Sequence, residues 1–144
     1  MMGSTTIDAG KTKPRLLLAD DNQDVLSHVS AFLSKDFNVL AAVTDGESAL
    51  RNYQERKPDA LVLDISMGKI GGLEVARLLR KKGCTAPIVF LTVHDEADFV
   101  NAALASGGTA YVVKSHLTND LIPAIQAALA GEQFISPCLL NDRS

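Results

Sequence analysis

The sequence predicts an α/β fold, a doubly wound parallel sheet of five strands in the order 2-1-3-4-5 with helices on both faces. Two observations carry this. Short apolar runs alternate with stretches of helical periodicity, giving five β–α units and placing a helix-period stretch between successive runs. The runs are continuously apolar, the pattern of parallel strands buried on both faces. Right-handed crossovers then wind the chain to both sides of the sheet. An open sheet of five such strands takes the order given.

Each element follows from a local signal. Arg15–Ala19 is the first apolar run, and it ends in acids. Val25, Leu26, Val29, Phe32 and Leu33 then recur at the spacing of one helical face. Phe37–Val43 is the second strand. Thr44-Asp45-Gly46 breaks it, and Asp45 or Thr44 can cap a helix running to about Arg56. Pro58 stops that helix, and Ala60–Leu63 is the third strand, again ending in an acid, Asp64. Gly68, Gly71 and Gly72 make the next loop. Leu73–Lys82 is the third helix, closed by Gly83 as a left-handed C′ residue. Pro87 introduces Ile88–Leu91, the fourth strand. Asp95–Ala105 is an Ala-rich fourth helix, followed by Gly107 and Gly108. Thr109–Val113 is the fifth strand. Leu121, Ile122, Ile125, Ala128 and Leu129 mark the buried face of a fifth helix, which Gly131 ends.

The expected organisation is one folded domain over 15–131. Residues 1–14 are Gly/Ser/Thr/Lys-rich and read as a disordered N-terminal arm. Residues 132–144 read as a C-terminal tail or the start of a linker. With 144 residues and 47% apolar content, the chain can bury one core. A net charge of −3 gives no bulk signal for nucleic acid or an anionic membrane. Trp is absent, which argues against a base-stacking surface. No apolar run approaches the roughly 20 residues of a membrane span. Cys84 and Cys138 are far apart, with no CxxC and no Cys/His cluster, as in a reduced cytoplasmic protein with two unrelated thiols.

In folds of this kind the working site lies beyond the carboxyl ends of the strands, where strand order reverses. Asp20 and Asp21 follow strand one, Asp64 follows strand three, Thr92 ends strand four and Lys114 follows strand five. Strands must end in polar residues somewhere, which accounts for any one of these. Three converging carboxylates need more, because like charges at short range repel and raise each other's pKa. Lys114 supplies one compensating charge, and a hard divalent cation on oxygen ligands supplies the rest. A carboxylate is also a competent nucleophile toward phosphorus, and phosphoryl transfer asks mainly for positioning and charge neutralisation. Asp64 is then the acceptor, Lys114 and Mg²⁺ take up charge, and Thr92 donates to a phosphoryl oxygen.

These residues resemble the receiver domain of two-component response regulators, a CheY-like, flavodoxin-like fold. The matching segments are Leu17-Leu-Ala-Asp-Asp21, Leu63-Asp-Ile-Ser-Met67 with Gly72, Leu91-Thr92 and Ala110-Tyr-Val-Val-Lys114. Each is weak alone, but their order and spacing are specific, and they span about Arg15 to Gly131. The resemblance implies Asp64 as phosphoacceptor, with Thr92 and Lys114 as its hydroxyl and lysine. It implies Asp20, Asp21, Asp64 and the Ser66 backbone carbonyl as Mg²⁺ ligands. Tyr111 falls at the position whose ring turns inward on activation, although an aromatic in a last strand is often simply core. The implied donor is a phosphohistidine on a sensor histidine kinase or phosphotransfer protein. Such a domain is a regulatory acceptor that catalyses only its own phosphorylation and dephosphorylation, not an enzyme acting on an external substrate.

The chain departs from the family pattern at several points. Gly68 stands where Pro is usual, which frees the loop after Asp64. Val93 stands where a small residue is usual and should narrow access to Asp64. Ser115 replaces a frequent Pro, so a cis bond after Lys114 is disfavoured by roughly 2 kcal/mol or more. The resemblance implies that Ser66 and His94 flank the path of the hydrolytic water, where His94 either orients water or is an ordinary loop histidine. His28 and His116 are expected to face solvent.

Three other readings fit less well. A haloacid-dehalogenase-like phosphatase needs its nucleophile after strand one with a second acid two residues on, whereas Asp20 and Asp21 are adjacent. A flavodoxin-like cofactor binder needs a Ser/Thr/Gly-rich phosphate loop there, and Asp-Asp-Asn-Gln-Asp would repel phosphate without a metal. A degenerate receiver would lack part of the Asp/Asp/Asp/Thr/Lys set. The segment Ala127-Ala-Leu-Ala-Gly-Glu-Gln-Phe-Ile-Ser-Pro-Cys resembles the receiver end of LuxR/FixJ-type transcriptional regulators. That implies the regulatory portion of a DNA-binding response regulator, with these residues not themselves binding DNA. The alternative is a stand-alone receiver or phosphorelay intermediate. Whether the chain forms a homodimer, through the last helix or the fourth-helix/fifth-strand surface, is left open by the sequence.

Overall fold

The structure is a computed structural model describing residues 13–141. The expected N-terminal arm, apart from Lys13 and Pro14, lies outside the described residues, as do residues 142–144 of the expected tail. The elements are β1 (Arg15–Ala19), α1 (Gln23–Leu33), β2 (Asn38–Val43), α2 (Gly46–Arg56), β3 (Ala60–Leu63), α3 (Gly72–Lys81), β4 (Ile88–Thr92), α4 (Ala97–Ala105), β5 (Ala110–Val113), α5 (Leu117–Leu129), β6 (Phe134–Ile135) and α6 (Pro137–Asn141). A 3₁₀ turn over Lys114–His116 joins β5 to α5.

The sheet is parallel, with strand order β2-β1-β3-β4-β5-β6. The expected order of the first five strands holds. The strand count is corrected from five to six, because Phe134–Ile135 pairs with Ala110 and Tyr111 at the β5 edge. Two residues give too short a run for periodicity to register, and their pairing is decided by the neighbouring strand.

Side-chain alternation divides the core between the two faces of the sheet. Leu16, Leu18, Ala60, Val62, Val89, Leu91, Ala110 and Val112 face α1 and α5, against Leu26, Val29, Leu121 and Ile125. Leu17, Leu61, Leu63, Ile88, Phe90, Tyr111 and Val113 face the other way, against Ala49, Val75, Leu79, Val100 and Ala103 of α2, α3 and α4. Because both faces are covered, β1, β3, β4 and β5 are almost wholly buried. β2 is an edge strand and stays partly exposed.

Local chemistry starts and stops the helices. Asn22 Oδ1 accepts from the N–H groups of Asp24 and Val25 at 3.0 and 3.1 Å and begins α1. Asp45 Oδ1 accepts from Ser48 N–H at 2.8 Å and begins α2. Of the two expected cap candidates, Asp45 takes the role. Such caps contribute about 1 kcal/mol each. Gly83 follows α3 with φ +93, the left-handed value expected of a C′ glycine.

Candidate functional site

Four strand ends build one site. β1 runs into Asp20, whose N–H donates to the Val43 carbonyl at 3.0 Å, and β3 runs into Asp64, whose N–H donates to the Ala19 carbonyl at 2.9 Å. The sheet ladder therefore fixes both acids at the point where strand order reverses. Asp20, Asp21 and Asp64 each offer a carboxylate oxygen, all within 4.8 Å of one another. Asp20 and Asp64 are buried, whereas Asp21 is exposed. Lys114, just beyond β5, reaches across with Nζ 2.7 Å from Asp20 Oδ2 and 3.2 Å from Asp64 Oδ2. One ammonium is thus shared between two buried carboxylates.

The electrostatics are only partly balanced. Burial pushes the Asp64 carboxyl above the ordinary aspartate range, helped by the Asp20 charge, and the Lys114 ammonium offsets only part of this. Burial alone would lower the Lys114 pKa, but its hydrogen bond to Asp20 and the charges of Asp64 and Asp20 outweigh it and raise the value. The ammonium is held charged while the nucleophile candidate is under-compensated. Hard oxygen donors at this spacing, one open to solvent, fit a small divalent cation such as Mg²⁺.

The approach of α3 depends on a missing side chain. A Cβ on Gly72 would lie 2.2 Å from the Asp64 carbonyl oxygen. The helix can therefore start against the backbone of the acceptor candidate only because residue 72 is glycine. Gly68 sits at φ +68 in the β3–α3 loop, a conformation closed to proline. Proline at position 68 would require a different backbone conformation here. Ser66 is exposed, and its N–H lies 3.4 Å from Asp64 Oδ1.

The β4–α4 loop lies over the site. Thr92 is fully buried, and its hydroxyl oxygen lies 3.4 Å from the His94 N–H. His94 Nε2 pairs with Ser66 Oγ at 3.1 Å, linking the loops after β3 and β4. Its ring stacks on Phe99 at 4.1 Å between centroids. Tyr111 is wholly buried, and its hydroxyl donates to the His94 carbonyl at 2.7 Å. Val93, by contrast, is 66% exposed. His28 and His116 are exposed, as expected. The peptide bond after Lys114 is trans, also as expected.

Sequence reasoning thus named the residues that converge, but it missed Phe99 as the support of His94. It also did not anticipate that the Ser136 hydroxyl, just past β6, donates to Asp120 Oδ2 in α5 at 2.8 Å. Phe99 is partly buried in α4, and nothing in one dimension places it beside His94.

Residues 16–126 match the family model of the response regulator receiver domain. The chain belongs to that family. It is 35% identical over 123 residues to the transcriptional regulatory protein PrrA of Mycobacterium tuberculosis, covering 85% of this chain and 53% of PrrA. It is 33% identical over 132 residues to PdtaR of the same organism, covering 90% of this chain and 63% of PdtaR. The receiver domain therefore spans roughly half to two thirds of these curated relatives. In structure it resembles a LuxR-family two-component response regulator from Aurantimonas sp., at a TM-score of 0.86 and 31% identity over 90% of this chain and 94% of that one. The receiver family is regulatory and works in two-component signalling. Among the described residues, no helix is long and apolar enough to cross a membrane.

Proposed function

We propose that Asp64 accepts a phosphoryl group from a phosphohistidine of a sensor histidine kinase or phosphotransfer protein. An Asp64 carboxylate oxygen attacks phosphorus, the P–O bond forms as the P–N bond breaks, and the electron pair leaves on the imidazole nitrogen. The observation that carries this reading is the shared ammonium: Lys114 contacts both Asp20 and Asp64 beside a third carboxylate. Asp20, Asp21, Asp64 and the Ser66 carbonyl would hold Mg²⁺. When bound, the ion supplies positive charge against the phosphoryl oxygens. Lys114 is placed to follow a phosphoryl oxygen as charge moves off the Asp64 carboxylate. Among the described residues the Thr92 hydroxyl only accepts, over a long contact, from an N–H, so it can donate to another phosphoryl oxygen.

Acetyl phosphate with Mg²⁺ tests the assignment. Intact-mass measurement should show one phosphoryl group on the wild type and none on Asp64→Asn. A label of equal size on the variant overturns the assignment. Reversal by hydrolysis places a water at phosphorus, breaking the P–O bond to Asp64. Ser66 and His94, joined across the mouth of the site, then tune this rate, and His94→Ala should change the lifetime of the phosphoryl group by several-fold. An unchanged lifetime makes His94 an ordinary loop residue. Val93→Ala should raise the labelling rate if the valine crowds the approach, and an unchanged rate removes it from the set.

Tyr111 is the switch candidate. Its ring is inward, with the hydroxyl tied to the β4–α4 loop, so movement of Thr92 and movement of the tyrosine are mechanically linked. The output we assign is transcriptional, as the regulatory portion of a longer DNA-binding regulator. The curated relatives are transcriptional regulatory proteins of greater length than the matched region. These residues alone should not retard specific DNA in a gel shift at low salt. A stand-alone receiver or relay intermediate is the second reading, and a homodimer is compatible with either.

A further inference from the structure

In the segment after α5, one buried polar residue adds hydrogen bonds of its own to the strand that leads into the site. Ser136, just past β6, is fully buried. Its N–H donates to the Tyr111 carbonyl at 2.9 Å. Its hydroxyl accepts from the Val113 N–H at 3.1 Å and donates to Asp120 Oδ2, in the first turn of α5, at 2.8 Å. β6 ends at Ile135, so the Ser136 side chain completes the hydrogen-bond ladder where the main chain leaves the sheet. Val113 immediately precedes Lys114, whose ammonium contacts Asp20 and Asp64.

Both strand contacts of Ser136 therefore fall on the short run that carries Tyr111 and Lys114. Asp120 is also buried, with the Ser136 hydroxyl as its hydrogen-bond donor, so the serine cannot be withdrawn without stranding a buried carboxylate. We propose that Ser136 and Asp120 form a latch coupling the phosphorylation site to the segment that follows α5. With the latch closed, the end of β5 is held so that Lys114 reaches the site. A ligand that draws Lys114 inward then favours the closed latch, and by linkage an open latch weakens that ligand. This rests on the reading of Asp64 as the phosphoryl acceptor, and the test separates the two.

The probe is beryllofluoride with Mg²⁺, bound to the full 144-residue chain. Hydrogen exchange at the amides of Val113 and Ser136 should slow at least fivefold on loading. Asp120→Ala should weaken apparent beryllofluoride affinity at least threefold. Asp120→Asn keeps an oxygen that accepts from the serine hydroxyl and should stay close to wild type. Wild-type binding with unchanged exchange at both amides overturns the latch and leaves the acceptor reading intact. The same holds if a folded Asp120→Ala protein binds as tightly as wild type. If Asp120→Ala does not fold, the exchange measurement on the wild type decides alone. Failure of the wild type to bind beryllofluoride overturns the acceptor reading, and the latch with it.

Discussion

The two ends of the sheet carry the same kind of charge pair in different surroundings. At the amino end, Arg15 lies 4.0 Å from Asp59, with side chains 39% and 48% exposed. At the carboxyl end, Lys114 lies 2.7 and 3.2 Å from Asp20 and Asp64, with side chains 16%, 7% and 8% exposed. In the first case water already solvates both partners, so the pair ties the start of β1 to the residue before β3 and little more. Arg15 also donates to the Lys57 and Arg56 carbonyls at the close of α2. In the second case water is largely excluded, and two carboxylates compete for one ammonium. The lesson is that burial with incomplete charge balance, rather than the presence of charge, separates the carboxyl-end cluster from a structural tie.

Removing the ammonium tests this contrast most severely. Lys114→Met keeps the aliphatic stem but leaves Asp20 and Asp64 facing each other without compensation. The stability loss should be on the order of 3 kcal/mol, the scale for breaking a buried pair from one side. Denaturant unfolding would measure it, and Mg²⁺ should restore part of the loss. A cost below about 1 kcal/mol would make the carboxyl-end pair no different from an exposed one.

The next effect runs the other way. The Asp64 carboxyl has its pKa raised by burial, so its ionised form is less favourable in the folded than in the unfolded chain. Its contribution to stability is present below the unfolded aspartate pKa and lost as pH rises through the higher folded value. At neutral pH without Mg²⁺, Asp64→Asn should therefore raise the thermal midpoint, by about 2 °C. For Lys114 the folded pKa is also raised. Its contribution is present below the ordinary lysine value and lost as pH climbs through the folded one. Wild-type melting should thus fall at alkaline pH through a step that Lys114→Met lacks. A wild type and variant with parallel alkaline profiles would remove Lys114 as the source.

The smallest effect belongs to the amino end. Asp59→Ala removes the exposed pair and an acceptor for the Arg15 N–H at 2.8 Å. It should cost about 0.5–1 kcal/mol, with the ion-pair share shrinking at high salt. A loss as large as that of Lys114→Met would erase the distinction between the two ends.

The sequence by itself determined which residues could form strands and helices, and which polar residues close the strands. Continuous runs such as Leu16–Ala19 and Ala60–Leu63 are legible because a strand buried on both faces has no polar position to spare. The acids and the lysine are legible because a charge placed directly after such a run marks a strand end. What tertiary structure decided is everything that needs two distant segments to meet. It brought Ser66 to His94, set Phe99 under the imidazole, and placed Gly72 against the Asp64 carbonyl. It also made a strand of Phe134–Ile135, whose partner is the free edge of β5. Burial belongs here too, because Asp59 and Asp64 are the same amino acid at opposite ends of one strand. Only the packing around each decides which keeps its water and which loses it.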